Sequence, residues 1–220
     1  MTTDMPRSEH PRPQLTRPEW LNLNGEWTFE IDHGNSGRER GILDRELSDV
    51  ITVPFCPESE LSGIGYTDFI DAVWYRRDVT VPSEWAGKRV LLHFQAVDHD
   101  ATVWVNGAEV IRHRGGWSGF TCDLNGIVGA GDTATITVRA RDVKDMPGSK
   151  AGGKQSNHQH NSAGCHYTRT TGIWQTVWLE AVGQAAYLQR PRLTPDCANG
   201  RLNVVQPIRG SSAGLTVRVE

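Results

Sequence analysis

The chain has 220 residues, of which 37% are hydrophobic and 22% charged, so its composition supports a buried core and excludes a disordered chain. The net charge of −3 excludes a general nucleic-acid binder, because neutralising phosphates requires a basic surface. No apolar run approaches the roughly 20 residues that span a bilayer, and no secretory signal is visible, so we expect no membrane partner.

Period-two alternation of apolar and polar residues predicts strands along most of the chain. Segments 27–31, 90–94 and 134–138 alternate in this way, and segments 73–81, 101–105 and 174–182 are rich in Val, Trp and Thr. Within the last segment we expect Trp174 and Trp178 on one face and Val177 and Leu179 on the other. Asn106-Gly107 predicts a hairpin turn, because both residues tolerate positive φ. Many short strands separated by Gly, Pro and Asp indicate an all-β sandwich or jelly roll.

A domain boundary is predicted near residue 183, where the sequence leaves the last Trp-rich strand and runs through two prolines. We expect a tail over 1–14, a sandwich over 15–183 and a second unit over 184–220. Two further strands, about 201–208 and 214–220, are predicted to form a hairpin through Gly210-Ser211-Ser212. This second unit is far shorter than the roughly 100 residues of an immunoglobulin-like sandwich, so we expect it to be incomplete.

Six stretches in order carry a resemblance to a known family: LNGEWTF (23–29), ITVPFCPESELSGIGY (51–66), VWYRRDVTVP (73–82), HFQAVDHDATVWVNGAEV (93–110), HRGGWSGFTCDL (113–124) and TRTTGIWQTVWLE (168–180). Over about 15–183 the chain resembles the galactose-binding-like, jelly-roll sugar-binding domain of glycoside hydrolase family 2, the β-galactosidase and β-glucuronidase type. In that family an immunoglobulin-like domain and a TIM barrel with two catalytic glutamates follow. The resemblance implies that 184–220 begins the second of these domains. It also implies that the chain alone is inactive, with no catalytic residue and no cofactor.

The resemblance further implies two groups of substrate-binding residues. Asp142 ends the strand ITVRARD, where the β-galactosidase branch has an acidic residue that reaches the sugar, and a carboxylate accepts hydrogen bonds from hydroxyls. Loop 150–169 resembles one that reaches the active site of relatives, and its candidates are Lys154, Gln155, Tyr167 and Arg169. A solvated loop Asp and an ordinary surface loop remain the alternatives.

Loop 54–72 holds several carboxylates: Glu58, Glu60, Asp68 and Asp71. A retaining glycosidase uses two carboxyl groups about 5–5.5 Å apart, but the family places its catalytic glutamates in the barrel. We therefore interpret these acids as solvating a loop edge. Tyr66 and Asp68 remain candidates for lining the pocket of the barrel.

Four potential metal ligands, His158, His160, Cys165 and His166, lie close together in the sequence. Their H-x-H-x4-C-H spacing fits no standard zinc pattern, so we predict no metal site. The absence of a visible secretory signal predicts a cytoplasmic location. In such a chain the four cysteines, which form no CxxC pair, are expected to be free thiols.

Two functions of different classes remain open. In the first, the chain is a non-catalytic domain that shapes the pocket of a β-glycoside-cleaving barrel, which would be its partner. In the second, it is a stand-alone carbohydrate-binding module that stacks sugars on exposed aromatic rings such as Trp85, Trp117 and Tyr66. The additional strands after residue 183 favour the first, and a structural remnant of a broken gene is a third possibility. The sequence does not identify the sugar.

Overall fold

The structure, a computed structural model, describes residues 5–143, 155, 164–211 and 213–218. The described part contains three single-turn 3-10 helices, Ile42–Asp44, Glu60–Ser62 and Ser83–Trp85, and is otherwise built from strands and loops. In chain order the strands are β1 Trp20–Asn22, β2 Gly25–Ile31, β3 Asp49–Val53, β4 Ala72–Thr80, β5 Lys88–Phe94, β6 Val97–Asp98, β7 Asp100–Val105, β8 Ala108–Arg114, β9 Phe120–Asp123, β10 Thr133–Arg141, β11 Gly172–Ile173, β12 Val177–Gly183, β13 Ala186–Leu188, β14 Arg192–Asp196, β15 Arg201–Val205 and β16 Ile208–Gly210.

Two antiparallel sheets carry most of these strands. The larger sheet has the order β3-β2-β4-β10-β7-β8, and the smaller has the order β1-β12-β5-β9. Because successive side chains on a strand point to opposite faces, each sheet contributes its alternate apolar residues to one large core. Trp27 and Phe29 of β2 and Leu92 and Phe94 of β5 belong to this core, and all four are fully buried. The predicted all-β sandwich is therefore confirmed.

The predicted Asn106-Gly107 turn joins β7 to β8. Both residues have positive φ, +51° and +78°, and Val105 pairs with Ala108 across the turn. This backbone twist matches the twist of the flanking strands, so the local sequence fixes the hairpin, as predicted.

The last strand of the sandwich is shorter than its composition predicts. It begins at Val177, and Trp174 lies before it, where the indole Nε1 donates to the carbonyl of Gly116 over 2.8 Å. Trp178 stacks on His93 outside the core, with ring centroids 4.7 Å apart, while Val177 and Leu179 point into the core. The expectation that Trp174 and Trp178 share one strand face is wrong, because the contact of Trp174 with Gly116 lies outside the strand.

The pairing predicted for the segment after residue 183 is also wrong. The hairpin there joins β14 to β15, with Leu193 opposite Val204, and β13 pairs with β16. The turn at 197–200 closes through the Asn199 amide, which donates to Asp196 Oδ1 over 3.2 Å, and through Gly200 at φ +60°. Residues 214–218 form no strand. The domain boundary near residue 183 stays a prediction.

All four cysteines, Cys56, Cys122, Cys165 and Cys197, are free thiols. Across 5–143, 155, 164–211 and 213–218, no helix has the length and apolar character needed to cross a bilayer.

Candidate functional site

Three segments that are distant in the sequence meet at one end of the sandwich: the 54–71 loop, the end of β10 and residues 164–171. The amide of Asp142, the residue after β10, donates to the carbonyl of Asp71 over 2.9 Å. The guanidinium of Arg169 donates through Nη2 to the carbonyl of Thr67. These contacts bring together the two regions in which the sequence predicted sugar-binding residues. We refer to this part of the molecule as the loop end.

Thr171 connects two buried carboxylates at the loop end. Its backbone amide donates to Glu58 Oε2 over 3.2 Å, and its hydroxyl donates to Asp142 Oδ2 over 3.4 Å. Glu58, Asp142 and Thr171 are all buried. A carboxylate needs hydrogen-bond partners when it leaves water, and Thr171 supplies a partner to both. The three residues therefore fasten the 54–71 loop to the segment before β11.

Glu58 contradicts the interpretation of the loop acids as a solvated edge. It is only 8% exposed, whereas Glu60 and Asp68 of the same loop are exposed. Burial raises the pKa of Glu58 to about 6, although the donors from Thr171 oppose this shift. Burial, together with the neighbouring Glu58, raises the pKa of the Cys56 thiol to about 12. The sequence shows an acid-rich loop but gives no sign of which acid turns inward.

Arg169 is also buried, at 3% exposure, and its guanidinium carbon lies 4.2 Å from the centroid of the Phe69 ring. A guanidinium is stable in such a place when it combines a ring contact with a carbonyl acceptor, here Thr67. The side chain therefore points into the protein and secures the 54–71 loop. The geometry makes it a support for the loop end.

Gln155 links the same region to β6. Its Nε2 donates to Asp98 Oδ2 over 3.0 Å, and its Oε1 accepts from the amide of Thr170 over 3.1 Å. Sequence reasoning selected Gln155 but not Asp98, whose role depends on a partner 57 residues away. Both ends of the Gln155 amide are therefore used in holding the 164–171 segment.

The remaining predicted residues are more accessible. Tyr167 is 40% exposed and Asp68 is exposed, while Tyr66 is half-buried against the core with its ring 5.8 Å from that of His33. Lys154 lies outside the described residues. Tyr167 and Asp68 are thus the predicted residues at the loop end whose side chains reach the surface.

The aromatic residues considered for a stand-alone binding module differ in their exposure to solvent. Trp85 is buried in the core at 3% exposure and is not available to stack on a sugar, whereas Trp117 is 65% exposed. The potential metal ligands do not form a described site. Cys165 Sγ lies 3.8 Å from His166 Nδ1, His158 and His160 lie outside the described residues, and the described residues contain no cluster of three metal-binding side chains.

Comparison with known families assigns the chain to one of them. The profile described as "Glycosyl hydrolases family 2, sugar binding domain" matches residues 66–180, more than half of the chain. The chain belongs to glycosyl hydrolase family 2. The matched region includes Tyr66, Asp68, Asp142, Tyr167 and Arg169, so the predicted residues of the loop end lie within the family's sugar-binding domain.

Relatives within family 2 are consistent with this assignment. The chain is 35% identical over 136 residues to a β-glucuronidase of Paenibacillus borealis, a match that covers 60% of the chain and 22% of that protein. It is 32% identical over 143 residues to the β-glucuronidase of Felis catus, covering 59% of the chain and 21% of that protein. The chain therefore spans about a fifth of the length of these relatives.

Solved structures of family 2 proteins share the fold. A Ruminococcus gnavus β-glucuronidase in complex with D-glucaro-d-lactam superposes with a TM-score of 0.67 at 18% identity, covering 92% of this chain and 36% of that one. A Lactobacillus rhamnosus β-glucuronidase gives a TM-score of 0.68 at 23% identity, covering 89% of this chain and 34% of that one. At these identities the similarity establishes the fold alone, in agreement with the predicted all-β sandwich.

Proposed function

We propose that this chain is a non-catalytic domain serving a family 2 glycosidase that acts on β-glucuronides. In this proposal the loop end of the sandwich forms one wall of the sugar pocket, and a TIM barrel supplies the two catalytic glutamates. The substrate class is proposed because relatives at 32–35% identity are named β-glucuronidases. Neither cofactor nor metal is part of the proposal.

The observation that carries the proposal is the buried connection between the 54–71 loop and residues 164–171. Glu58, Asp142 and Thr171 form one link, and Arg169 with the Thr67 carbonyl forms the other. A binding wall is useful only when its side chains are held in place before the substrate arrives, since ordering loops on binding reduces affinity. The buried polar groups supply that rigidity.

The accessible residues would contact the sugar. The Asp68 carboxylate accepts hydrogen bonds from hydroxyls, and the Tyr167 phenol both donates and accepts them. Lys154 carries a charge that would complement the carboxylate of a glucuronide. Asp142 and Arg169, which the resemblance implied as sugar contacts, act in this proposal by positioning the loops, because both are buried.

A chimeric enzyme tests this function. Residues 15–183 would replace the corresponding region of the Paenibacillus borealis β-glucuronidase, and hydrolysis of nitrophenyl β-glucuronide would be measured. We expect activity, with Tyr167→Phe and Asp68→Asn each lowering kcat/KM by about tenfold. The first removes one substrate hydrogen bond, and the second replaces a charge-assisted hydrogen bond by a weaker neutral one. Glu60→Gln, which changes an exposed acid of the same loop, should leave kcat/KM unchanged.

Two outcomes would contradict the proposal. In one, the folded chimera hydrolyses β-glucuronide and neither Tyr167→Phe nor Asp68→Asn alters kcat/KM. In the other, the chimera accepts a β-galactoside in preference to the β-glucuronide.

We also propose a cytoplasmic location. The support is chemical: all four cysteines are free thiols, and thiols persist in the reducing environment of the cytosol.

A further inference from the structure

A groove of about 950 Å³ crosses the outer face of the β1-β12-β5-β9 sheet. The N-terminal segment 11–17 forms one wall, residues 187–192 with 207 and 209 form another, and Trp117 lies in the lining. His93, Thr121 and Glu180 project from the sheet into its floor. The groove is thus built from ordered strands and the two segments that flank them.

The lining of this groove carries an excess of positive charge, from Arg12, Arg17, Arg190, Arg192 and Arg209. Its carboxylates, Glu180 and Asp123, are already engaged. Glu180 accepts from Arg17 over 2.6 Å and from His93 over 3.1 Å, and Asp123 accepts from Arg89 over 2.5 Å. Within the described residues, no salt bridge reaches Arg190, Arg192 or Arg209, and all three are exposed.

The guanidinium groups also act on one another. Burial lowers the pKa of Arg12, and although Glu180 opposes this, Arg190 and Arg17 lower it further. Burial lowers the pKa of His93 too, and Arg12 and Arg17 add to this, although the hydrogen bond to Glu180 opposes it. The lowered pKa favours the neutral form of this imidazole. Like charges close enough to affect each other's protonation are stabilised by an anion placed between them.

Trp117 adds a flat apolar surface to the same groove. It is 65% exposed, and its ring packs edge-on against Trp174 with centroids 5.1 Å apart. Trp174 is itself fixed by its hydrogen bond to the carbonyl of Gly116. An exposed indole held rigid in this way offers a stacking platform to a sugar ring at little entropic cost.

We propose that this groove binds an acidic oligosaccharide, with a pyranose ring on Trp117 and carboxylates on the guanidinium groups of Arg190, Arg192 and Arg209. Guanidinium binds carboxylate through paired hydrogen bonds, and a uronate chain presents one such group on each sugar. A nucleic acid fits less well, because the chain has a net charge of −3 and two carboxylates stand in the groove. The proposal concerns a second sugar site and does not depend on which glycoside the loop end serves.

Calorimetric titration of the full 220-residue chain tests this directly. The probe is a tetramer of β-1,4-linked glucuronate, and cellotetraose serves as its neutral counterpart. We expect saturable binding of the uronate tetramer that weakens as salt rises, because screening reduces the charge attraction. Trp117→Ala should weaken binding of the tetramer about tenfold, as should the double variant Arg190→Gln/Arg192→Gln.

The matched control is Arg38→Gln, which removes an exposed arginine that does not line the groove. It should leave the affinity for the uronate tetramer unchanged, and melting curves would verify that each variant folds. Absence of saturable binding at millimolar tetramer would overturn the proposal. So would equal weakening by Arg38→Gln, equal affinity for cellotetraose, or tighter binding of a tetrathymidylate than of the uronate. Because binding is measured without hydrolysis, failure here leaves the glycosidase proposal to its own test.

Discussion

A Cβ atom added to Gly172 would lie 2.1 Å from the hydroxyl oxygen of Tyr75. Gly172 has φ +77°, and the next amide, that of Ile173, donates to the same hydroxyl over 3.2 Å. Tyr75 is fully buried in β4, and burial raises its pKa well above the usual value. The close approach therefore fixes β11 against the larger sheet, directly after the residues of the loop end.

We expect Gly172→Ala to lower the free energy of unfolding by about 2–4 kcal/mol, because the new methyl group combines an unfavourable φ with an overlap in a packed core. Urea denaturation would measure this. Gly126→Ala is the matched control, since Gly126 also has a positive φ, +81°, but no atom lies within 4 Å of its added Cβ. This variant should lower the free energy of unfolding by only about 1 kcal/mol. Equal losses in the two variants would show that the contact with Tyr75 is unimportant.

Sequence alternation predicted the strands of the sandwich well. The apolar residues of 27–31, 90–94 and 134–138 occupy β2, β5 and β10, because a sheet with one face on a core requires that pattern. The pattern failed after residue 183, where strand faces are exposed and no core selects a register. There the turn closed by Asp196 and Asn199 decides the pairing, and this side-chain contact has no periodic signal.

The loop end was predicted only in part, and for a definite reason. The family resemblance selected Asp142 and Arg169, but it did not reveal that both are buried. Glu58 was missed because its partner, Thr171, is 113 residues away. Contacts of such long sequence separation depend on the assembled fold and leave no trace in local composition.

The raised pKa of Glu58 makes stability depend on pH. The folded protein favours the protonated acid, so the contribution of this group is fully present below its ordinary pKa of 4.5 and is lost as pH rises through about 6. The difference corresponds to about 2 kcal/mol. Glu58→Gln cannot ionise, and its amide oxygen still accepts from Thr171. We therefore expect this variant to gain about 2 kcal/mol relative to the wild type between pH 4.5 and pH 7.5.

Chemical denaturation at several pH values would measure that gain. Glu60→Gln changes an exposed acid of the same loop, so its free energy of unfolding should differ from that of the wild type by the same amount at every pH. A constant difference between Glu58→Gln and the wild type at all pH values would mean that Glu58 is ionised in the fold as it is in water.

The segment after residue 183 should contribute little to the stability of the sandwich. Its apolar side chains are largely exposed, with Leu193 at 55%, Leu202 at 57% and Val204 at 50%. Its hydrogen bonds to the sandwich include those from Arg17 to the carbonyl of Leu188 and from Arg89 to that of Gln184. Exposed hydrogen bonds of this kind contribute little to the free energy of unfolding. Apolar strands with open edges promote association between chains.

Deleting 184–220 should therefore shift Tm by less than about 3 °C and reduce aggregation, as measured by calorimetry and light scattering. Deletion should also abolish binding of the uronate tetramer, because it removes Arg190 and Arg192 from the groove. A large fall in Tm would mean that the segment packs into the sandwich and that the predicted boundary near residue 183 is misplaced.

The most direct test of the non-catalytic role is an assay of the purified 220-residue chain with nitrophenyl β-glucuronide and nitrophenyl β-galactoside. Glu58 and Asp142 form the buried acid pair at the loop end, and both are committed to Thr171. We predict no hydrolysis of either compound, with identical results for the wild type and Glu58→Gln. Turnover by the wild type that disappears in Glu58→Gln would contradict the account, because it would make this carboxylate a catalytic group.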